Sequence, residues 1–219
     1  MGRIIGIATL VVALFGIGSV ALATHADRDD PHPTFRDQTV GAGAYAAPQG
    51  AVVDRFTRAA TGGLGPFDRH QSWRTVSPAW SVEGDHAQGG SFGAPAVTTI
   101  TAGHADHLFQ TDVAAPTPGA GIVFRYRGAK NFWTLVAKDP ETWLLVQIRN
   151  GKFRLVQTLV RVKPPVIVLT VIARGTELTV EVSGKRFSIR DPFLATERSV
   201  GLVTLSPETT FDNAALYDG

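Results

Sequence analysis

The dipeptide Asn150-Gly151 constrains the fold more than any other feature of the chain. It separates Thr142–Arg149 (TWLLVQIR) from Lys152–Leu159 (KFRLVQTL). A two-residue turn of type I′ needs φ > 0 at both central positions, and Asn followed by Gly accepts this at low cost. The sequence therefore predicts an antiparallel hairpin. Gly119–Val136 (GAGIVFRYRGAKNFWTLV) predicts a second one immediately before it. There Ile122, Phe124 and Tyr126 alternate with Val123, Arg125 and Arg127, the period of two that turns successive side chains to opposite faces of a strand. Gly128-Ala129-Lys130-Asn131 supplies the bend.

The same pattern of short alternating runs and turn residues extends over Ala51–Gly219. Ala51–Thr57, Gln71–Ser77, Trp80–Glu83, Ala96–Thr101 and His107–Val113 read as strands ahead of the two hairpins. After Pro164-Pro165, Val166–Ala173 is a nearly continuous β-branched run, as expected of a strand covered on both sides. Glu177–Ser183 alternates again, and Arg186–Ile189, Ser199–Leu205 and Thr210–Tyr217 complete about a dozen strands at the spacing of a sandwich or barrel. Strands do not alternate with helices, which argues against a parallel α/β sheet. The prediction is an all-β domain, either a sandwich or a barrel.

The N-terminus is different in kind. Ile4–Ala23 is an uncharged apolar run behind Met1-Gly2-Arg3, and Ala21-Leu22-Ala23 has the small-x-small form of a signal-peptidase site. The run is also long enough to cross a bilayer as a helix. Residues 1–23 thus read either as a cleaved signal peptide or as an anchor, and both place the remainder outside the cytoplasm. Thr24–Gly50, with its charged cluster, Pro31, Pro33 and Gly41-Ala42-Gly43-Ala44, reads as a flexible spacer. The absence of cysteine removes disulfides, thiolate metal sites and thiol nucleophiles, and in an exported chain it fits a bacterial source. A formal net charge of +2 gives no support to a nucleic-acid partner.

Several local motifs fall in one order. They are Asp54-Arg55-Phe56, Leu64-Gly65, Trp73, Trp80-Ser81-Val82, Gly121–Arg125 with Asn131-Phe132-Trp133, Gly201-Leu202-Val203 and Phe211-Asp212-Asn213. In this order they resemble the concanavalin A-like lectin/glucanase superfamily, closest to its laminin-G-like and 3-keto-disaccharide-hydrolase-like domains. The resemblance covers Ala51–Gly219. It implies a jelly-roll sandwich whose ligands sit on a concave sheet or its rim loops. It leaves three functions open: carbohydrate recognition, sugar hydrolysis and laminin-G-type protein adhesion.

The residues weigh against one of these chemistries. A retaining glycosidase of this fold needs paired carboxyls about 5–5.5 Å apart, commonly from an E-x-D-x-E strand. The six glutamates (Glu83, Glu141, Glu177, Glu181, Glu197, Glu208) show no such pattern. No catalytic residue is therefore named, and the expected role is non-catalytic recognition of carbohydrate or a cell-surface glycan. The expected contacts are Arg125 and Arg127, as guanidinium forks from one strand face, with Asn131, Trp133 and Trp143 beside them. The competing structural roles are a pairing of Arg125 with a sheet carboxylate such as Asp212, and a core position for the tryptophans. Trp80 is expected in the core. Asp212-Asn213 is expected to tie the last strand. His104, Asp106 and His107 are the densest candidate metal ligands, and their other reading is a polar turn. No cofactor is expected, with calcium at Asp106, Asp112 or Asp139 as the option. Between Glu141 and Glu177 the chain carries Arg149, Lys152, Arg154, Arg161, Lys163 and Arg174 and no acid, which suits anionic glycans or lipid headgroups.

Overall fold

The computed structural model describes residues 51–68, 70–77, 80–90, 95–160 and 166–218. The apolar segment 1–23 and the spacer 24–50 lie outside the described residues, as do Arg161 and Lys163. Among the described residues no helix is long and apolar enough to cross a membrane.

The strands run in the order β1 (Val52–Asp54), β2 (Ala60–Thr61), β3 (Arg74–Thr75), β4 (Trp80–Glu83), β5 (His86–Gly89), β6 (Ala96–Thr101), β7 (His107–Ala114) and β8 (Gly121–Gly128). They continue with β9 (Asn131–Asp139), β10 (Thr142–Arg149), β11 (Lys152–Val160), β12 (Val166–Arg174), β13 (Glu177–Val182), β14 (Lys185–Arg190), β15 (Ser199–Thr204) and β16 (Thr210–Asp218). They form two antiparallel sheets. A nine-stranded sheet has the order β14-β13-β12-β7-β16-β5-β4-β2, with β1 also on β16. A seven-stranded sheet has the order β11-β10-β9-β8-β15-β6-β3. The expected all-β sandwich is what the chain forms.

Both predicted hairpins are present as β8–β9 and β10–β11. Asn150 and Gly151 have φ of 53° and 74°, and Arg149 pairs directly with Lys152, as a I′ turn requires. Alternation along β9 and β10 sends Trp133, Leu135, Trp143 and Leu145 between the sheets. There they meet Phe109, Leu169, Val180 and Phe211 from the nine-stranded sheet. Trp80 lies in the same core, 5.8 Å from the Phe211 ring. Each large apolar side chain so buried contributes about 1.5–3 kcal/mol.

In β12 the outer face is more open than a doubly covered strand would be. Ile167, Leu169 and Val171 are buried, Val168 and Ile172 are half-buried, and Val166 is 43% exposed.

The Asp54-Arg55-Phe56 motif is a buried knot at the start of the domain. Asp54 is 4% exposed. Its carboxylate accepts from the Phe56 backbone N–H (2.9 Å), the Trp73 indole (2.8 Å) and both terminal nitrogens of Arg58 (2.7 and 2.8 Å). Arg58 also donates from Nε to the Leu64 carbonyl at 2.9 Å. One side chain thereby closes the irregular segment between β1 and β3.

Candidate functional site

The seven-stranded sheet is apolar on both faces, and its outer face carries a cleft. Across that face Val97 pairs with Val203, Val203 with Gly121, Gly121 with Val136 and Val136 with Leu144. The next row runs Arg74, Thr99, Gly201, Val123, Thr134, Val146, Leu155. Gly121 and Gly201 lie within these rows and add no side chain to this face. Neither position tolerates a Cβ, which would collide with the carbonyl oxygen of Leu135 or of Thr98 on the neighbouring strand. The cleft, of about 210 Å³, is bounded by the rings of Tyr126, Phe132 and Phe153 on one side and by Val76, Ser77 and Pro95 on the other. Among the described residues its wall contains no Asp, Glu, His, Lys or Arg. Burial pushes the Tyr126 phenol up from its ordinary pKa, and the charge of Arg74 pulls it the other way.

Tyr126 reaches this face because of an irregularity at Arg125. In a regular strand Tyr126 would follow Ile122 and Phe124 inward, and Arg125 would point outward with Val123. The β8–β9 register instead shifts between Phe124 and Gly128, and Arg125 takes φ = 47°. The extra residue of the bulge reverses the alternation. Arg125 turns inward and is fully buried. Its terminal nitrogens donate to the backbone carbonyls of Gly175 (2.6 Å) and Asp191 (3.1 Å), with longer contacts to those of Phe193 and Glu177 at 3.5 Å. Desolvation pulls its pKa down to about 10, against the favourable charges of Asp191 and Asp106. Arg125 therefore does not share an outer face with Arg127, and its nearby carboxylates are these two and not Asp212.

The other expected ligand contacts have structural partners. Trp133 and Trp143 are both fully buried in the inter-sheet core, so neither ring presents a face to a ligand from solvent. Trp133 stacks on Phe124 at 6.4 Å and donates to the Phe193 carbonyl. Arg127 is exposed and pairs with Glu197 at 2.7 Å. Asn131 accepts from the Asn150 backbone N–H at 3.0 Å and, with the Gly151–Lys130 backbone bond, holds the two hairpin turns side by side. Of the five residues, only Arg127 and Asn131 retain access to solvent, and none lines the cleft.

His104-Ala105-Asp106-His107 forms the polar turn into β7. His107 is 3% exposed, its Nδ1 lies 3.3 Å from the His104 carbonyl, and its Nε2 is buried without a partner among the described residues. Asp106 accepts from the Gly175 N–H at 2.7 Å. No group of three or more His, Cys, Asp or Glu side chains among the described residues is arranged to hold a metal. Asp139 accepts from the N–H of Glu141 in its own turn, and Asp112 accepts from Asn213 Nδ2 at 2.8 Å. Asn213, at φ = 50°, forms the bulge of β16 and ties that strand to β7. Asp112 and Asp212 are paired across these strands, and burial raises both pKa values. They belong to the nine-stranded sheet, away from the cleft. In the basic stretch, Arg149 lies 5.3 Å over the Phe193 ring and Arg154 approaches Asp191 at 3.9 Å.

The His107 geometry has a pH consequence. A carbonyl accepts from Nδ1, so the neutral ring carries its proton there and leaves Nε2 bare. Burial lowers the folded-state pKa below the ordinary 6.5, against smaller raising effects from nearby backbone groups and Asp218. The unfolded chain therefore binds this proton first as pH falls. Stability is full above about 6.5 and declines below it, by at most about 1.4 kcal/mol per pH unit until the folded pKa is reached. The raised Asp112 and Asp212 act oppositely at lower pH, where the folded state protonates first and regains stability towards 3.8. Urea unfolding at pH 7.5 and 5.5 should show the loss, and His107→Asn, which keeps a donor near the Nδ1 position, should flatten it. An unchanged slope in that variant would assign the pH dependence to other groups.

No protein-family model matches the chain, and no curated protein matches it in sequence. Solved structures do match in fold. The GH43 BlXynB protein from Bacillus licheniformis aligns at 14% identity and TM-score 0.57, over 77% of this chain and 39% of that one. A xylan β-1,4-xylosidase from Bacillus halodurans aligns at 13% and 0.55, over 87% and 41%. LamAcat from Zobellia galactanivorans aligns at 9% and 0.50, over 76% and 96%. The chain thus spans about two fifths of the first two proteins. At these identities the likeness is one of fold alone, that of a two-sheet antiparallel β-sandwich.

Proposed function

We propose that the domain is a non-catalytic recognition module that binds carbohydrate on the outer face of its seven-stranded sheet, at the mouth of the cleft. The observation that carries this reading is a preformed cleft flanked by aromatic rings, with no carboxylate or imidazole among the described residues of its wall. Such a site offers no carboxyl pair for glycosidic-bond hydrolysis and no imidazole to activate the Ser77 hydroxyl, which is already bonded to the Pro95 carbonyl, so it suits binding and orientation. Phe153, 39% exposed at the cleft edge, presents a ring on which the apolar side of a pyranose can rest. The likeness in fold to part of a xylan β-1,4-xylosidase favours a sugar as the ligand class, a reading by analogy of fold. The laminin-G-like or 3-keto-disaccharide-hydrolase-like affiliation and an extracytoplasmic location belong to the same proposal. So does the choice between cleaved signal and anchor for residues 1–23.

A glycan array probed with the full-length chain, with and without calcium, tests the reading. Binding is expected, and Phe153→Ala should weaken it about tenfold, or 1.4 kcal/mol, without moving the midpoint of thermal unfolding by more than a few degrees. Absence of binding to every glycan would overturn the proposal. Sequencing of the mature N-terminus in the membrane fraction separates anchor from signal, since an intact Met1 there rules out cleavage.

A further inference from the structure

The interior of the cleft has a chemistry that a sugar does not match. Its hydroxyls are already engaged within the protein: Thr134 Oγ1 donates to the Ile122 carbonyl at 2.8 Å, and Ser77 Oγ donates to the Pro95 carbonyl at 2.7 Å while accepting from the Val97 N–H. Apart from Tyr126, the remaining described wall is valine, proline, leucine, phenylalanine, Gly119 and Ala129. A saccharide pushed into it would leave hydroxyls without partners, whereas a methylene chain would lose nothing and gain its transfer from water.

The cleft is nevertheless not apolar all round its rim. The Tyr126 hydroxyl makes no hydrogen bond to the described residues, and Arg74 stands on the same face. Arg74 shares a row with Thr99, Gly201 and Val123, stands two residues before Val76 of the cleft wall, and its charge acts on the Tyr126 hydroxyl. Arg74 is exposed, and no carboxylate among the described residues pairs with it. An exposed guanidinium on the same sheet face, next to the Val76 side of a hydrocarbon-lined cleft, complements a ligand with an apolar tail and an anionic end.

We propose that the cleft houses the hydrocarbon chain of an anionic amphiphile, with its carboxylate or phosphate held at Arg74 and the Tyr126 hydroxyl. The inference rests on the preceding reading for the choice of sheet face, and there it makes the sugar at Phe153 the polar part of an acylated ligand.

Straight-chain alkanoates below their micellar concentration are the probe, titrated calorimetrically into the full-length protein. Affinity should rise from butanoate to octanoate by up to about fourfold per methylene and level off once the cleft is full. Octanoate should bind at least fivefold more tightly than octanol to the wild type, and Arg74→Gln should abolish that preference while leaving octanol binding unchanged. In amide NMR spectra, octanoate should shift Gly119, Gly121 and Gly201. No octanoate binding, affinity independent of chain length, shifts that avoid these glycines, or a head-group preference that survives Arg74→Gln would each overturn the inference. Octanoate binding with a blank glycan array would remove the carbohydrate reading and leave this one standing. Glycan binding with no octanoate binding would do the reverse.

Discussion

Replacing Asp54 by alanine is expected to destabilise the domain by about 3–5 kcal/mol, the cost of removing one partner of a buried, hydrogen-bonded ion pair. The size of the effect follows from what the carboxylate holds. Its two oxygens accept four hydrogen bonds, from the Phe56 N–H, the Trp73 indole and both ends of the Arg58 fork. Trp73 packs at 6.0 Å from Phe56 and 5.5 Å from Phe67, so its orientation is shared with the whole segment between β1 and β3. Without Asp54 the buried indole N–H loses its acceptor, and Arg58 loses its counter-charge and keeps only the Leu64 carbonyl. Domains of this kind have only about 5–15 kcal/mol in total, so Asp54→Ala is expected to unfold at a much lower urea concentration. Asp54→Asn keeps the shape and one acceptor oxygen, and should cost less than the alanine. A loss below about 1 kcal/mol for Asp54→Ala would show that the ion pair is no better than a surface one and that packing alone closes the segment.

The same residues show how much of the molecule was legible in the sequence. Asp54-Arg55-Phe56 and Trp73 were readable as a pattern, but their chemistry depends on contacts 19 positions apart in the chain, between Asp54 and Trp73. Asn150-Gly151 was fully legible, because a I′ turn is decided by two adjacent residues. The cleft was not. On β9 and β10 both faces are apolar, as in Phe132-Trp133-Thr134-Leu135-Val136, and a period of two separates the faces without saying which one is the core. Trp133 and Trp143 fell to the inner face, and the smaller Val136 and Val146 to the outer one. The available signal was this two-sided apolarity itself, which is more than a sandwich strand with a wet outer face needs. Phe153 and Arg74 could be connected to the cleft only through strand pairing. The bulge at Arg125 was the least legible feature of all, since a non-glycine residue at positive φ has no local marker.

Arg125→Ala is the second large effect expected, a loss of about 3 kcal/mol or more. Arg125 joins the seven-stranded sheet to the turn after β12 through Gly175 and to the segment after β14 through Asp191. Its acceptors are backbone carbonyls, and its balancing charges, Asp191 and Asp106, act at longer range. Deletion leaves the Gly175 and Asp191 carbonyls without donors and opens a cavity at the end of the core. Lysine is no substitute, because it cannot fork between two carbonyls and a desolvated ammonium readily gives up its proton. The discriminating variant is Arg125→Gly. It removes the same tie but relieves the left-handed backbone, and should be about 1 kcal/mol more stable than Arg125→Ala. The two variants should also differ at the cleft. Alanine favours a regular strand, and loss of the bulge would carry Tyr126 from the cleft towards the core, whereas glycine keeps the bulge and the position of Tyr126. Tyrosine fluorescence is masked by the four tryptophans, so the comparison needs Tyr126 ring resonances by NMR together with urea unfolding. Equal stability and identical Tyr126 environments in the two variants would show that the backbone preference at position 125 does not set the alternation of β8.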